Sequence, residues 1–341
     1  MENVIELKAS ASKYLDSVLN GTANKSFEEH IDETLRSFSN NPRLTNNPKD
    51  KSKALASYFG LVDFPALLTD KANNILVSKW NASTETWRKW VRMIPLNDFR
   101  ATQISSVGLV PEPDEIQSGA NFKYQNNLTG ESVLAQLKSY GNLINLDRET
   151  FLNDRNGGFT SFLEDVATSY DRKIARQVYE FLINNPVSFE GKEIFHAEHG
   201  NIITKTASFE ADLAGALTAI YSQTYSADTA RDFEENVSIV PRFVIVPPTL
   251  AIEASKAVNA LNEGLTTDQT LEVVIERRLM GFDGWFLTTN PDTITIAAFN
   301  LQGTSPTLEQ RQFHNANGLE AKHRFDFDVK PVDYRGLVKV S

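Results

Sequence analysis

Two histidines and a glutamate lie close together in the segment Phe195–Asn201, and their side chains could bind a metal ion or transfer protons. His196 and His199 are three positions apart, with Glu198 between them. Imidazole nitrogens and carboxylates are the usual ligands of a catalytic zinc ion, which activates water for hydrolysis. Zinc hydrolases, however, usually place two histidines four positions apart on one helix. Because Gly200 and Asn201 follow directly, the sequence predicts a loop, and a metal-dependent hydrolase using His196, Glu198 and His199 remains an alternative.

The rest of the chain offers no second set of reactive residues at a recognisable spacing. The absence of cysteine excludes disulfides, thiolate zinc sites and cysteine nucleophiles. The glycines match neither a P-loop nor a dinucleotide-binding pattern, and there is no Gly-x-Ser-x-Gly nucleophile motif. We therefore predict no catalytic residue, no cofactor and no metal ion, and we expect a protein that is not an enzyme.

The composition is that of a globular protein with a sizeable core. Of the 341 residues, 41% are hydrophobic and 10% aromatic, and 34 basic side chains against 44 acidic ones give a net charge of −10. This charge argues against sequence-specific binding of nucleic acid, which depends on contacts to phosphates. No apolar run is long enough to span a membrane, and the first residues do not resemble a secretory signal.

Several helices and strands must position the histidine segment. Apolar residues recur every three or four positions from Phe159 to Leu182, and Asn185-Pro186 follows, which predicts a helix over residues 159–185 about 40 Å long. A second helix is expected over Phe209–Thr224. The apolar run ending at Pro247-Pro248 predicts a buried strand that enters a third helix, because proline is tolerated at a helix start. Residues after Leu271 are rich in β-forming side chains.

The first hundred residues are expected to differ from this body. Residues 1 to about 50 are polar, with two short helices predicted at Ser10–Leu19 and Phe27–Phe38. A further helix is predicted from Leu61 to about Trp80. Beyond it, Trp87, Trp90, Val91 and Phe99 suggest an aromatic strand region, and the tryptophans are expected to pack in the core.

The segment 100–138 is irregular and rich in turn-forming residues, and few of its positions could face a core. Compact domains rarely contain structureless connections of this length. A long two-stranded arm that lies on a neighbouring molecule would account for the pattern, and a flexible loop would account for it equally well.

Taken together, these segments resemble the major capsid proteins of tailed bacteriophages, specifically the Mu-like major head subunits with a Hong Kong 97-type fold. The resemblance covers residues from about 60 to 341. It is carried by Asp63-Phe64-Pro65, Thr86–Trp90, Asp98-Phe99-Arg100, Tyr140-Gly141-Asn142, Leu146–Glu149, Asn153-Asp154, Phe195–Asn201, Phe243–Pro248, Arg324–Phe327 and Val332–Gly336. The sequence departs from the family pattern in two places. The segment Asp154–Gly158 stands where the family often has Asp-Asp-Leu, and Asp328 stands where a glycine is usual.

The resemblance implies an α+β fold in which each segment has a role. Residues 1–60 would form an N-terminal arm, and residues 61–99 a helix and strand region that joins this arm to the body. Residues 100–138 would form an extended loop with a β-hairpin. Residues 139–225 and 311–341 would form a peripheral domain with a spine helix at 159–185, and residues 226–310 an axial domain.

The resemblance also implies a structural function. The subunit would assemble through hexamers and pentamers into an icosahedral shell around double-stranded DNA, in the bacterial host cytoplasm, and would remain in the virion capsid. It would contact DNA without sequence specificity, and it would not bind a membrane. Decoration, scaffold and portal proteins would be further partners. A minor virion or scaffold-type protein is the other alternative. Some members of the family crosslink a lysine to an asparagine, and Lys123 and Asn126 lie in the corresponding loop, without a crosslink being predicted here. The candidate contacts between subunits are Glu112, Asp114, Lys123, Tyr124, Asn126 and Glu131.

Overall fold

The computed structural model describes Lys13 and residues 63–105, 132–147, 158–188, 191–224, 239–263, 269–303, 305–312 and 318–341. Apart from Lys13, which is helical, the two short helices predicted near the N-terminus fall outside these residues. The six candidate subunit contacts between Glu112 and Glu131 fall outside them as well.

The described residues form four α-helices and twelve strands, which confirms the predicted α+β class. The helices are α1 (Asp63–Asn81), α2 (Gly158–Asn184), α3 (Phe209–Tyr221) and α4 (Ala251–Asn262). The strands are β1 (Arg92–Leu96), β2 (Thr102–Ser105), β3 (Ser132–Ala135), β4 (Lys138–Asp147), β5 (Ile202–Ile203), β6 (Pro241–Val246), β7 (Glu272–Ile275), β8 (Trp285–Thr289), β9 (Ile296–Leu301), β10 (Thr307–Gln312), β11 (Gly318–Pro331) and β12 (Leu337–Val340).

The long helix α2 matches the predicted helix 159–185 within one residue at each end. Its apolar stripe is buried, as the spacing of three and four residues requires; the buried members include Leu163, Val166, Tyr170, Ile174, Val178 and Leu182. Asn185 adopts a left-handed conformation with φ of 50° directly before Pro186, which ends the helix.

The described chain divides into two compact units. The first contains residues up to Ser83 together with Ser139–Asp171 and Gly303–Asp326. Here Trp80 packs edge-on against Phe325, with ring centroids 4.8 Å apart. Strand β10 pairs antiparallel with the first part of β11. The side chain of Asn73 donates to the carbonyl of Leu308 at 3.3 Å and accepts from its N–H at 2.7 Å, which fixes α1 to β10.

The second unit contains Thr84–Lys138, Arg172–Gln302 and Phe327–Ser341. Its main sheet has the strand order β5-β12-β8-β6-β7, in which β6 runs parallel to β7 and antiparallel to β8. Helices α3 and α4 pack against this sheet around Trp285 and Val244. Strands β6 and β8 are almost wholly buried, as expected for continuous apolar runs.

This core unites segments that the sequence analysis divided between two domains. Leu213 and Ile220 of α3 and Val338 of β12 belong to the predicted peripheral segments, yet they pack with residues of β6, α4 and β8. The expected boundary between residues 225 and 226 therefore runs through one hydrophobic core. Hydrophobic periodicity identifies each element but does not show which distant elements share a core.

A second group of strands in this unit supports the start and end of the segment 100–138. Strand β1 pairs parallel with β9, and β9 pairs antiparallel with the last part of β11. Strands β2 and β3 form an antiparallel ladder from Thr102↔Ala135 to Ser105↔Ser132. Ala135 and Ile104 pack against the core formed by Phe299 and its neighbours. The segment thus leaves and rejoins the body as a pair of strands.

The predicted aromatic strand region is only partly a strand. Trp87 lies in a 3₁₀ turn, Thr86–Lys89, and Trp90 follows this turn, whereas β1 begins only at Arg92. Both tryptophans are buried, as predicted, but Phe99 is exposed. The strand assignment was wrong for the tryptophans because aromatic side chains serve buried turns as well as strands.

Candidate functional site

The histidine segment forms a short 3₁₀ turn, Ala197–His199, between α2 and β5 in the second unit. His196 caps this turn, since its Nδ1 accepts the N–H of Glu198 at 3.2 Å. Gly200 ends the turn in a left-handed conformation with φ of 63°, which favours glycine. The predicted loop is therefore confirmed.

Two asparagines hold the backbone of this loop. The amide of Asn185 donates to the carbonyl of Phe195 at 2.9 Å and accepts from its N–H at 2.7 Å. Buried Asn201 donates to the carbonyl of Ile194 at 2.9 Å and accepts from the N–H of His196 at 3.1 Å. These side chains supply the hydrogen bonds that a buried, non-repetitive backbone needs. Neither asparagine was singled out from the sequence for this role.

His199 is built into the core. Its ring stacks on Tyr334, with centroids 3.7 Å apart and planes within 8° of parallel. Its Nδ1 lies 3.1 Å from the carbonyl oxygen of Ile194, and Gln223 donates to its backbone carbonyl at 2.9 Å. The stacking and the hydrogen bonds fix the orientation of the imidazole, as a packed structural histidine requires.

The electrostatics of Glu198 do not suit a catalytic base. Its exposed carboxylate pairs with Lys192, and this hydrogen bond and charge lower the pKa of Glu198. A base that acts near neutral pH needs a raised pKa instead. Within the ranges that the structure describes, no three potential metal-binding side chains lie in a group. Because Nδ1 of each histidine already makes a structural contact, the geometry favours a loop that joins α2 to the β5–β12 edge over a hydrolase site.

A partly buried polar network in the same unit contains no residue that was predicted from the sequence as functional. Arg278 donates to both oxygens of Glu85, at 3.0 and 3.1 Å, and to Glu276 at 3.1 Å. Thr86 donates to Glu276 and lies 2.8 Å from the hydroxyl of Tyr179 on α2. The network joins three segments that are far apart in sequence, so no local spacing could indicate it.

Exposed apolar side chains mark one end of the main sheet. Val246 and Ile275 are paired at the carboxyl ends of the parallel strands β6 and β7. Ile252 in the first turn of α4 is 72% exposed, Ile275 is 47% exposed, and Met280 just after β7 is 67% exposed. We call Ile252, Ile275 and Met280 the sheet-end surface. Contiguous apolar patches on a protein surface are typical of sites that bind another protein.

No helix in the described part of the chain is both long and apolar enough to pass through a bilayer.

More than half of the sequence matches a known protein family. A family model described as "Phage capsid protein" matches residues 130–340, which is more than half of the chain. The chain belongs to the phage capsid protein family. The resemblance stated from the sequence is thus confirmed at the level of phage capsid proteins, whereas the Mu-like subgroup remains a prediction. Membership makes this capsid protein a structural component of a virion shell built from many copies, and not an enzyme.

Solved structures similar to this capsid protein come from a virus-like particle and from phages. They include a virus-like particle from Pyrococcus furiosus, with 9% identity and a TM-score of 0.48, covering 80% of this chain and 99% of that one. A structure from Microbacterium phage Oxtober96 has 10% identity and a TM-score of 0.46, covering 76% and 91%. The satellite phage P4 procapsid has 11% identity and a TM-score of 0.44, covering 79% and 90%. Scores below 0.5 do not establish a shared fold, so the assignment rests on the family match. No functionally curated protein matches the sequence.

Proposed function

We propose that this capsid protein is the major head subunit of a tailed phage or prophage. Copies assemble through hexamers and pentamers, with a Hong Kong 97-type organisation, into an icosahedral shell around double-stranded DNA. The observation that carries the proposal is the match to the capsid family over residues 130–340, which include α2 and the main sheet. Assembly takes place in the bacterial host cytoplasm, and scaffold, decoration and portal proteins are the further partners.

The main sheet with α3 and α4 is the part that we assign to the axial domain. It includes most of the predicted segment 226–310, extended by α3 and β12 because these share its core. Copies meet around the five-fold and six-fold axes through the sheet-end surface. Burying Ile252, Ile275 and Met280 against a neighbour removes apolar area from water, which stabilises association by about 25 cal/mol per Å².

The segment 100–138 acts as the extended loop that lies on a neighbouring subunit. Support comes from the β2–β3 ladder, in which Ser105 and Ser132 are paired at the two ends of this segment. The candidate contacts Glu112, Asp114, Lys123, Tyr124, Asn126 and Glu131 lie between these two residues in sequence. Residues 1–60 act as the N-terminal arm. Long contacts of this kind add interface area without a larger core, and modest contacts add up when each copy touches several others.

The experiment is expression of the full chain followed by negative-stain electron microscopy and native mass spectrometry. We expect closed shells, together with free hexamers or pentamers. A double variant, Ile252→Asp with Met280→Asp, should abolish shells, because it places two carboxylates in an apolar interface. Asn259→Asp with Ala260→Asp, on exposed positions of the same helix α4, adds the same charge and should leave assembly intact.

Two results would contradict the proposal. A wild-type chain that stays monomeric at high concentration would not be a shell subunit. A wild-type monomer that binds stoichiometric zinc through His196 and His199 would favour the hydrolase alternative instead. Shells that form normally in the Ile252→Asp, Met280→Asp variant would leave the function standing but would remove the sheet-end surface from it.

A further inference from the structure

The second half of α2 presents a row of positive charges on its exposed side. Arg172, Lys173 and Arg176 are all exposed, and they lie within about 6 Å along the helix axis. The opposite side of the same turns is buried, through Ile174 and Val178. We call these three side chains the basic face of α2.

This basic face stands out against the charge of the whole chain. The protein carries a net charge of −10, yet this turn of α2 carries three cations. Glu180 is the only acidic residue between Arg172 and Asn184. Glu180 is exposed one turn beyond Arg176, and Asp165 is exposed two turns before Arg172. Three cations against these two carboxylates leave a small positive excess on this side of α2.

On the basis of the function proposed above, we infer that the basic face of α2 is the surface that contacts the phosphates of the enclosed double-stranded DNA. Duplex DNA carries about one negative charge per 1.7 Å of its axis, so three cations within one helical turn lie opposite several phosphates. Arginine and lysine bind phosphate oxygens with little dependence on base sequence, which suits a wall that must accept a whole genome.

The composition of this face distinguishes DNA from a second copy of the chain as the partner. The cores of protein interfaces are enriched in aromatic side chains, Met and Arg and are depleted of Lys, so the absence of a large apolar side chain is what sets this face apart from them. Along the described residues of α2, the only exposed large hydrophobic side chain is Ile183, near the end of the helix. A face with three cations and no apolar centre is better matched to a polyanion than to another folded surface.

The inference also explains how an acidic subunit can line a compartment filled with DNA. A uniformly acidic wall would repel the duplex over the Debye length, about 8 Å at physiological salt. A short cationic row on each copy gives many weak contacts, which the duplex can exchange as it is packed.

The test is the binding of a short fluorescein-labelled DNA duplex to unassembled subunits, followed by fluorescence anisotropy at several salt concentrations. The variant is Arg172→Gln, Lys173→Gln, Arg176→Gln. The charge-matched control is Arg92→Gln, Arg100→Gln, Lys256→Gln, at three exposed positions outside α2. We expect the variant to bind the duplex at least tenfold more weakly. The slope of log K against log salt should become shallower by roughly 2 to 3, since each phosphate that a cation neutralises contributes about 0.9 to the slope. The control should keep the wild-type slope.

Electron microscopy of the same proteins separates this inference from the proposed function. If the wild type and the variant both form normal shells and the variant binds DNA more weakly, the result supports both the proposed function and the basic face. No DNA binding by the wild type, or equally weakened binding by the control, overturns the basic face while shells still form. Failure of the variant alone to form shells also overturns it, since Arg172, Lys173 and Arg176 would then belong to a subunit contact. Absence of wild-type shells would count against the proposed function instead.

Discussion

At the residue scale, Arg278 connects two carboxylates in a network with little access to water. Glu276 is 2% exposed and accepts from the side chain of Arg278 and from its backbone N–H. Arg278→Met removes the charged partner while filling a similar volume, so it leaves a buried carboxylate without its cation. We expect the free energy of unfolding to fall by about 2–3 kcal/mol, since Arg278 is still partly exposed. Urea unfolding of the unassembled subunit measures it.

The neighbouring arginine provides the control for this change. Arg277 is exposed, and Arg277→Met should alter the free energy of unfolding by less than about 0.5 kcal/mol. If the Arg278→Met variant and the wild type have equal free energies of unfolding, the network orients these side chains but does not stabilise the fold.

His323 predicts how stability depends on pH. Burial lowers the pKa of His323, and its Nδ1 lies 2.6 Å from the hydroxyl of Tyr170. Burial, and then the carboxylate of Asp326, raise the pKa of Tyr170, so its hydroxyl stays protonated. The folded state therefore favours the neutral imidazole, whereas the unfolded chain takes up a proton below about pH 6.5.

The sign follows from proton linkage. Because the unfolded state binds more protons, this contribution to stability is present above about pH 6.5 and decreases as the pH falls. We expect a lower thermal midpoint at about pH 5.5 than at about pH 7.5. The difference should be smaller in His323→Gln, which does not titrate. An unchanged difference in that variant would assign the pH dependence to other groups.

At the element scale, we expect substitution by alanine to have opposite effects on stability at two glycines, because their surroundings differ. A Cβ at Gly141 on β4 would lie 2.4 Å from the carbonyl oxygen of His323 on β11. Gly141→Ala should therefore push these paired strands apart and cost about 2 kcal/mol or more. At Gly215 in α3, the nearest atom to an added Cβ is a methyl of Ile203 at 3.5 Å.

Gly215→Ala should consequently stabilise the protein by about 0.5–1 kcal/mol, because alanine favours a helix more than glycine does. Denaturant midpoints of the two variants and the wild type test both signs together. If Gly215→Ala destabilises the protein, α3 lies closer to Ile203 than in this structure. If Gly141→Ala leaves stability unchanged, β4 and β11 lie further apart at this position than in this structure.

The elements also show what the sequence can predict. Helix α2 was predicted within one residue at each end because its apolar stripe repeats over seven turns. The loop at His196 was predicted from Gly200 and Asn201. The roles of Asn185, Asn201 and Tyr334 could not be predicted, since each depends on a partner that the fold brings close. The Glu85–Arg278 pair depends on tertiary structure in the same way.

At the scale of the whole molecule, folding and assembly should be separable. The first core lies around Trp80 and Phe325, and the second lies around Trp285 and Val244. If residues 106–131 serve contacts between copies, their removal should leave the free energy of unfolding of the single subunit nearly unchanged.

The β2–β3 ladder allows this to be tested with a defined deletion. Ser105 and Ser132 are directly paired, so an Asn-Gly dipeptide can replace residues 106–131 as a two-residue hairpin turn. We expect a soluble subunit with a wild-type thermal midpoint that forms no closed shells by electron microscopy. A second variant carries a scrambled copy of residues 106–131 in place of the Asn-Gly turn, which restores the length of the segment but not its sequence. We expect that this variant also forms no closed shells. Shells formed by the deletion variant would show that copies associate without this segment, and the contacts would then have to lie on the body of the subunit.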